Sequence, residues 1–183
     1  MKKLCGVVAL IVLIAGCTQG QPQNAETAAP APAAFTPQPH ANLAQLMRGI
    51  PFPASNIIFD AQSEDPGAAK EPADTSGGAT ATYSNVYGGW QAVENSALAI
   101  AETANLIMIP GRMCENGRPA PIENEDYRKF AANLADAGMA ALKAAQSKNL
   151  DAMVEVSGTV SEACAMCHEV YRDKDDMKDR CIP

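Results

Sequence analysis

Cys164-Ala165-Met166-Cys167-His168 sets two thiols and an imidazole at positions i, i+3 and i+4. On a helix these positions share one face. Cys-x-x-Cys-His is the signature of c-type haem attachment. Its spacing lets two thiols form thioethers to the vinyl-derived carbons of one porphyrin edge, while the imidazole next in line reaches the iron. Cys164, Cys167 and His168 are therefore the expected attachment points of one covalent haem c, with His168 as proximal metal ligand. Two other chemistries use thiols this close together: a thioredoxin-like redox pair and half of a zinc site. No βαβ pattern surrounds the motif, His40 is the only other histidine, and no second Cys-x-x-Cys exists. These absences favour the haem reading over both.

The motif needs helices to position it. Aromatic residues make up only 5% of the chain, and alanine supplies much of its 47% apolar content. Such a composition favours helix over sheet. Four segments carry apolar residues three and four apart. The first is Leu43, Leu46, Met47 and Ile50, where Pro51 and Pro53 then break or kink the helix, and a short apolar run, Ile57-Ile58-Phe59, follows. The second is Trp90, Val93, Ala97, Ile100, Ala104 and Ile107, ended by Pro110-Gly111. The third is Tyr127, Phe130, Leu134, Ala137, Ala141 and Ala145, with Asn124 as its expected N-cap. The fourth is Met153, Val156, Val160, Ala163, Cys167 and Val170, with Asn149 either closing the third helix or capping the fourth. These segments predict an all-α, antiparallel up-down-up-down four-helix bundle over residues 40–183. The alanines of the third stripe either let helices approach closely or leave room for a bulky non-protein group. The Pro-, Gly- and Ala-rich stretch Ala61–Thr82 is a loop of unusual length, to which no role is assigned.

Residues 1–16 read as an export signal: a basic start at Lys2 and Lys3, then an apolar run from Leu4 to Ala15. The run is too short for a confident membrane span. Ile14-Ala15-Gly16-Cys17 resembles the bacterial lipobox, which implies cleavage before Cys17, lipidation of that residue and a lipid anchor to a membrane. Thr18, rather than Asp, follows the cysteine and resembles an outer-membrane sorting context. Ordinary cleavage without lipid, or an uncleaved anchor, are the alternatives. Residues 17–39, rich in Pro, Ala, Gln and Thr, hold too little apolar bulk to fold and read as a tether. The expected location is the periplasm.

Of the six cysteines, Cys5 falls in the leader, Cys17 takes lipid, and Cys164 and Cys167 hold haem. Cys114 and Cys181 remain, and an oxidising compartment favours a disulfide between them over two free thiols. The net charge is -7; without Lys2 and Lys3 it becomes 12 − 21 = -9. Such a surface repels phosphate backbones, so no nucleic acid is expected as partner. A basic redox partner protein suits it, although the charge could serve solubility alone.

A single Cys-x-x-Cys-His near the C-terminus, inside the last of four helices and followed by Glu169-Val170-Tyr171-Arg172, resembles the cytochrome c′ superfamily. Leu46-Met47-Arg48-Gly49-Ile50 resembles the first helix of its low-spin members. The likeness covers roughly residues 40–172. It implies a left-handed bundle with haem held between helices and His168 as proximal ligand. Arg172 matches the family arginine beside the proximal face, where it could meet a haem propionate; otherwise it is a solvated cation at a helix C-terminus. Met47 matches the distal ligand of low-spin members, with His40 a minor competitor and plain core packing the alternative. Homodimerisation is a further expectation from the family. Cys114, Cys181 and the long 111–121 connection depart from its basic pattern.

The sixth ligand separates the functions. With Met47 on iron, the site suits electron transfer. With that position open, it suits binding of nitric oxide or carbon monoxide. An enzyme such as a peroxidase is not expected, since no distal His/Arg pair offers acid–base chemistry. A scaffold with vestigial haem is a fourth reading.

Overall fold

A computed structural model of the chain describes residues 35–68 and 88–183. The expected export signal, the lipidation site Cys17, the tether up to residue 34 and residues 69–82 of the long loop lie outside the described residues.

The described residues are helical apart from loops, turns and one isolated bridge between Met113 and Pro119. Helix α1 spans Leu43–Gly49 and opens on a capping box, in which the Asn42 side chain accepts from the Gln45 N–H and the Gln45 side chain accepts from the Asn42 N–H. Ile50 leaves helical geometry, and Pro51 starts α2, Pro51–Asp60. A proline lacks the N–H that a first helical position leaves unpaired anyway, so it opens a helix at little cost. The prolines thus kink the first arm rather than end it, and Ile57-Ile58-Phe59 belongs to α2, with Ile58 fully buried.

Helix α3 spans Gly89–Ile107, ending before Pro110-Gly111. Helix α4 spans Glu125–Ser147 and α5 spans Leu150–Tyr171. Lys148 in the left-handed conformation closes α4, and the Asn149 side chain caps α5 by accepting from the Ala152 N–H. So short a link makes α4 and α5 neighbours. Asn124 sits at the N-cap position of α4 but does not cap it with its side chain; its amide donates to the Tyr171 hydroxyl instead.

Two apolar clusters hold the helices together. One gathers Ile58, Ile100, Ala141, Ala145, Met153 and Val160 with their neighbours. The other gathers Leu46 of α1, Ile107 at the end of α3, Tyr127 near the start of α4 and Tyr171 at the end of α5. Starts and ends of successive arms meet there in alternation, so the arms run up and down in turn.

The connection from α3 to α4 is itself anchored. Buried Arg112 donates to the carbonyls of Leu106 (2.8 Å) and Ala41 (2.6 Å), and the Leu43 N–H donates to the Met113 carbonyl. Cys114 is disulfide-bonded to Cys181, tying this connection to the tail beyond a short 3-10 turn at Met177–Asp179. The pair left over in the sequence is the pair that is bonded.

Candidate functional site

A cavity of about 360 Å³ opens at the end of the bundle that holds the second cluster. Helix α5 contributes Cys164, Cys167 and His168. Their placement follows from the helical period: Val160, Ala163 and Tyr171 face the core, so the three side chains beside that stripe are half-buried at its edge. Facing them, α1 contributes Leu43 and Met47, and α2 contributes Pro51 and Phe52. Tyr127, Phe130 and Leu134 of α4 supply the remaining apolar wall. The kink at Ile50 sets α1 at an angle to α2, which lets Met47 line the same cavity as His168.

Burial controls the charge state of these groups. It pushes the Cys164 thiol up, partly opposed by the nearby Arg172 cation. Burial, followed by the neighbouring Cys164 and Asp126, pushes Cys167 up to about 11. Both thiols are free and stay protonated near neutrality. A redox dithiol needs the opposite shift, a thiol made acidic by its surroundings. Burial and then Arg172 lower His168, against a smaller opposing effect of Asp173. The imidazole is neutral at pH 7, the form that donates a lone pair to a metal. Among the described residues no three His, Cys, Asp or Glu side chains converge as a metal cage.

Arg172 caps the C-terminal end of α5 and lines the cavity, but its Nε donates to Asp173 at 2.7 Å and its side chain is largely exposed. His40 is exposed and does not line the cavity.

Three features of the site were not anticipated from the sequence. The Tyr171 hydroxyl donates to the Asp126 carboxylate at 2.6 Å and accepts from Asn124, fixing the end of α5 to the start of α4. Tyr127 stacks edge-on against Tyr171, with ring centroids 5.4 Å apart, beside Cys167. At the cavity mouth, Glu115 accepts from Arg48 at 2.8 Å and from Arg180 at 3.2 Å. The stripe residues Tyr127 and Cys167 were the available signal for the second. The third required knowing that the disulfide brings the tail to α1.

The side chains that could hold a planar, metal-bearing group are Cys164, Cys167 and His168 on one wall and Met47 on the other. Comparison of the chain with protein-family models, curated proteins and solved structures finds no match.

Proposed function

We propose that this chain is an exported, lipid-anchored electron carrier of the cytochrome c′ type, with one covalent haem c in the cavity between α1 and α5. The observation that carries the proposal is that Cys164, Cys167 and His168 line one apolar cavity whose facing wall holds a thioether, Met47. Cavities that bind organic cofactors run from about 300 to 1,000 Å³ and are mostly apolar with a few placed polar groups. This one fits that description, and its donor set suits an iron porphyrin: two unpaired thiols, a neutral imidazole and a soft sulfur.

When bound, the group supplies one-electron redox chemistry, and a His/Met ligand pair raises its reduction potential. The chain's own residues do the rest. Cys164 and Cys167 would fix a porphyrin to α5, and His168 and Met47 would hold its iron. Leu43, Pro51 and Phe130 exclude water from the site. The acidic surface suits a basic redox partner. Lipidation at Cys17 and a tether over 17–39 would keep the carrier at a membrane, the outer membrane being the expected one. No described helix is long and apolar enough to cross a bilayer.

The experiment is to mature the protein in a periplasm competent for haem attachment, then record its mass and its absorption spectrum with and without carbon monoxide. The expected result is one added haem, a low-spin spectrum with a methionine-to-iron charge-transfer band, and no change with carbon monoxide. Met47→Ala should become high-spin and bind the gas readily. A colourless protein of unmodified mass overturns the proposal. A wild-type protein that binds carbon monoxide without displacing Met47 replaces the carrier with a gas-binding module.

A further inference from the structure

The charged lining of the cavity comes from residues far apart in sequence. Arg48, Arg172, Arg180, Glu115 and the neutral His168 border it, with Asp173 held against Arg172. The guanidiniums of Arg48 and Arg180 share one carboxylate, Glu115, which takes one hydrogen bond from each through separate oxygens. That leaves positive charge in excess at the mouth of a cavity in a protein of net charge -7. Arg180 also has an Nε that is buried and has no hydrogen-bond partner among the described residues. A buried donor without an acceptor is costly and rare in folded proteins. That Nε is closed off by the protein itself and Nη1 is taken by Glu115, so the donor of this guanidinium left to meet a bound group is Nη2. Arg180 reaches this place because its neighbour Cys181 is bonded to Cys114, which also lines the cavity.

We propose that the disulfide-held tail builds a carboxylate-binding rim, in which Arg180, with Arg48 beside it, receives a carboxylate of the cavity's occupant. On the reading given above, on which this inference rests, that carboxylate is a haem propionate. A guanidinium fork matches a carboxylate's two oxygens, and the pairing holds the propionate ionised. Cys164 and Cys167 of α5 would hold the group covalently, and the tail would hold its acids.

The test compares the matured holoprotein with its Arg180→Gln and Arg180→Lys variants. The readouts are mass, spectrum and reduction potential as a function of pH. Removing an adjacent cation raises a carboxyl's pKa by about one to three units. In Arg180→Gln the propionate step in the potential–pH profile should therefore move up by about one pH unit or more, and the potential should fall above that step, where the propionate is ionised with no cation beside it. The mass added by haem and the low-spin spectrum should not change. Arg180→Lys should recover part of the shift, since it keeps the charge and loses the fork. Haem attached in all three proteins with superimposable potential–pH profiles overturns the rim and leaves the carrier reading standing. Absence of haem from the wild-type mass overturns both.

Discussion

The two ends of this bundle are built on different principles. At one end, small residues bring helices into close contact: Ala97, Ala137, Ala141 and Ala145 are buried among Ile58, Ile100, Met153 and Val160, with no titratable side chain in the buried cluster. At the other, Leu46, Ile107, Tyr127 and Tyr171 are bulky and meet around a cavity. That end is held by a tyrosine–aspartate hydrogen bond, a buried arginine and a disulfide. The difference separates stability from chemistry. Close packing supplies the fold where nothing needs to bind, and polar and covalent ties supply it where side chains must leave space.

The largest effects should therefore follow changes at the packed end. Ile100 is fully buried, and Ile100→Ala should cost about 2–5 kcal/mol of unfolding free energy, because the surrounding alanines cannot collapse into the gap. Gly138 makes the same point by addition. A Cβ there would lie 2.6 Å from the Ala101 backbone nitrogen and 2.9 Å from its Cα. Backbone cannot step aside, so α3 and α4 would have to separate. Overpacking of this kind costs about 1–3 kcal/mol or more, against roughly 1 kcal/mol returned by the better helix propensity of alanine. Gly138→Ala should thus be net destabilising. Leu43→Ala, on the half-buried cavity wall, should cost no more than about 1–2 kcal/mol. Urea unfolding of the three variants decides the matter. Equal midpoints for Ile100→Ala and Leu43→Ala would break the contrast between the two ends.

The cavity end should instead depend on its covalent tie. Cys114 and Cys181 are 67 residues apart in sequence. A cross-link closing a loop of that length stabilises by about 4 kcal/mol in the chain-entropy description, and native bridges more often contribute roughly 2–4 kcal/mol. The Cys114→Ser/Cys181→Ser double variant should lose an amount in that range. The tail around Met177–Arg180 should become sensitive to protease before the helices do. A double variant with wild-type stability and an uncut tail would mean that packing, not the bridge, holds this end.

What the sequence made legible follows the same division. The buried faces of α3, α4 and α5 repeat with the helical period, so Ile100, Ala141 and Val160 could be placed before any coordinates. The Cys-x-x-Cys-His spacing carried its own geometry. The kink was half legible: Pro51 announces a break, but only its position as the first residue of α2 shows that a helix resumes. The rim was not legible. Arg48, Glu115 and Arg180 lie 67 and 65 residues apart in their two contacts, and no periodicity joins them. Asn124 was legible as the N-cap position of α4, but not the hydrogen bond its amide donates to the Tyr171 hydroxyl 47 residues away.

The smallest effect expected is also the one that distinguishes the ends by chemistry alone. Tyr127 is 2% exposed, and burial raises its pKa well above the ordinary tyrosine value, with the neighbouring Cys167 adding in the same direction. In the unfolded chain tyrosine releases its proton near pH 10. Above that pH the folded state binds more protons than the unfolded one, so stability falls as pH rises. The contribution is fully present below about pH 10 and fades at roughly 1.4 kcal/mol per pH unit above it. Cys167, also shifted upward, adds a loss of the same sign in the haem-free chain. Tyr127→Phe keeps the edge-on packing against Tyr171 but has no proton to lose. Its haem-free form should match the wild type within about 1 kcal/mol at pH 7 and decline less steeply between pH 10 and pH 11. Parallel alkaline slopes for the two proteins would assign the loss to the other groups held protonated at this end, Cys164, Cys167 and Tyr171, since the buried residues of the packed end offer none.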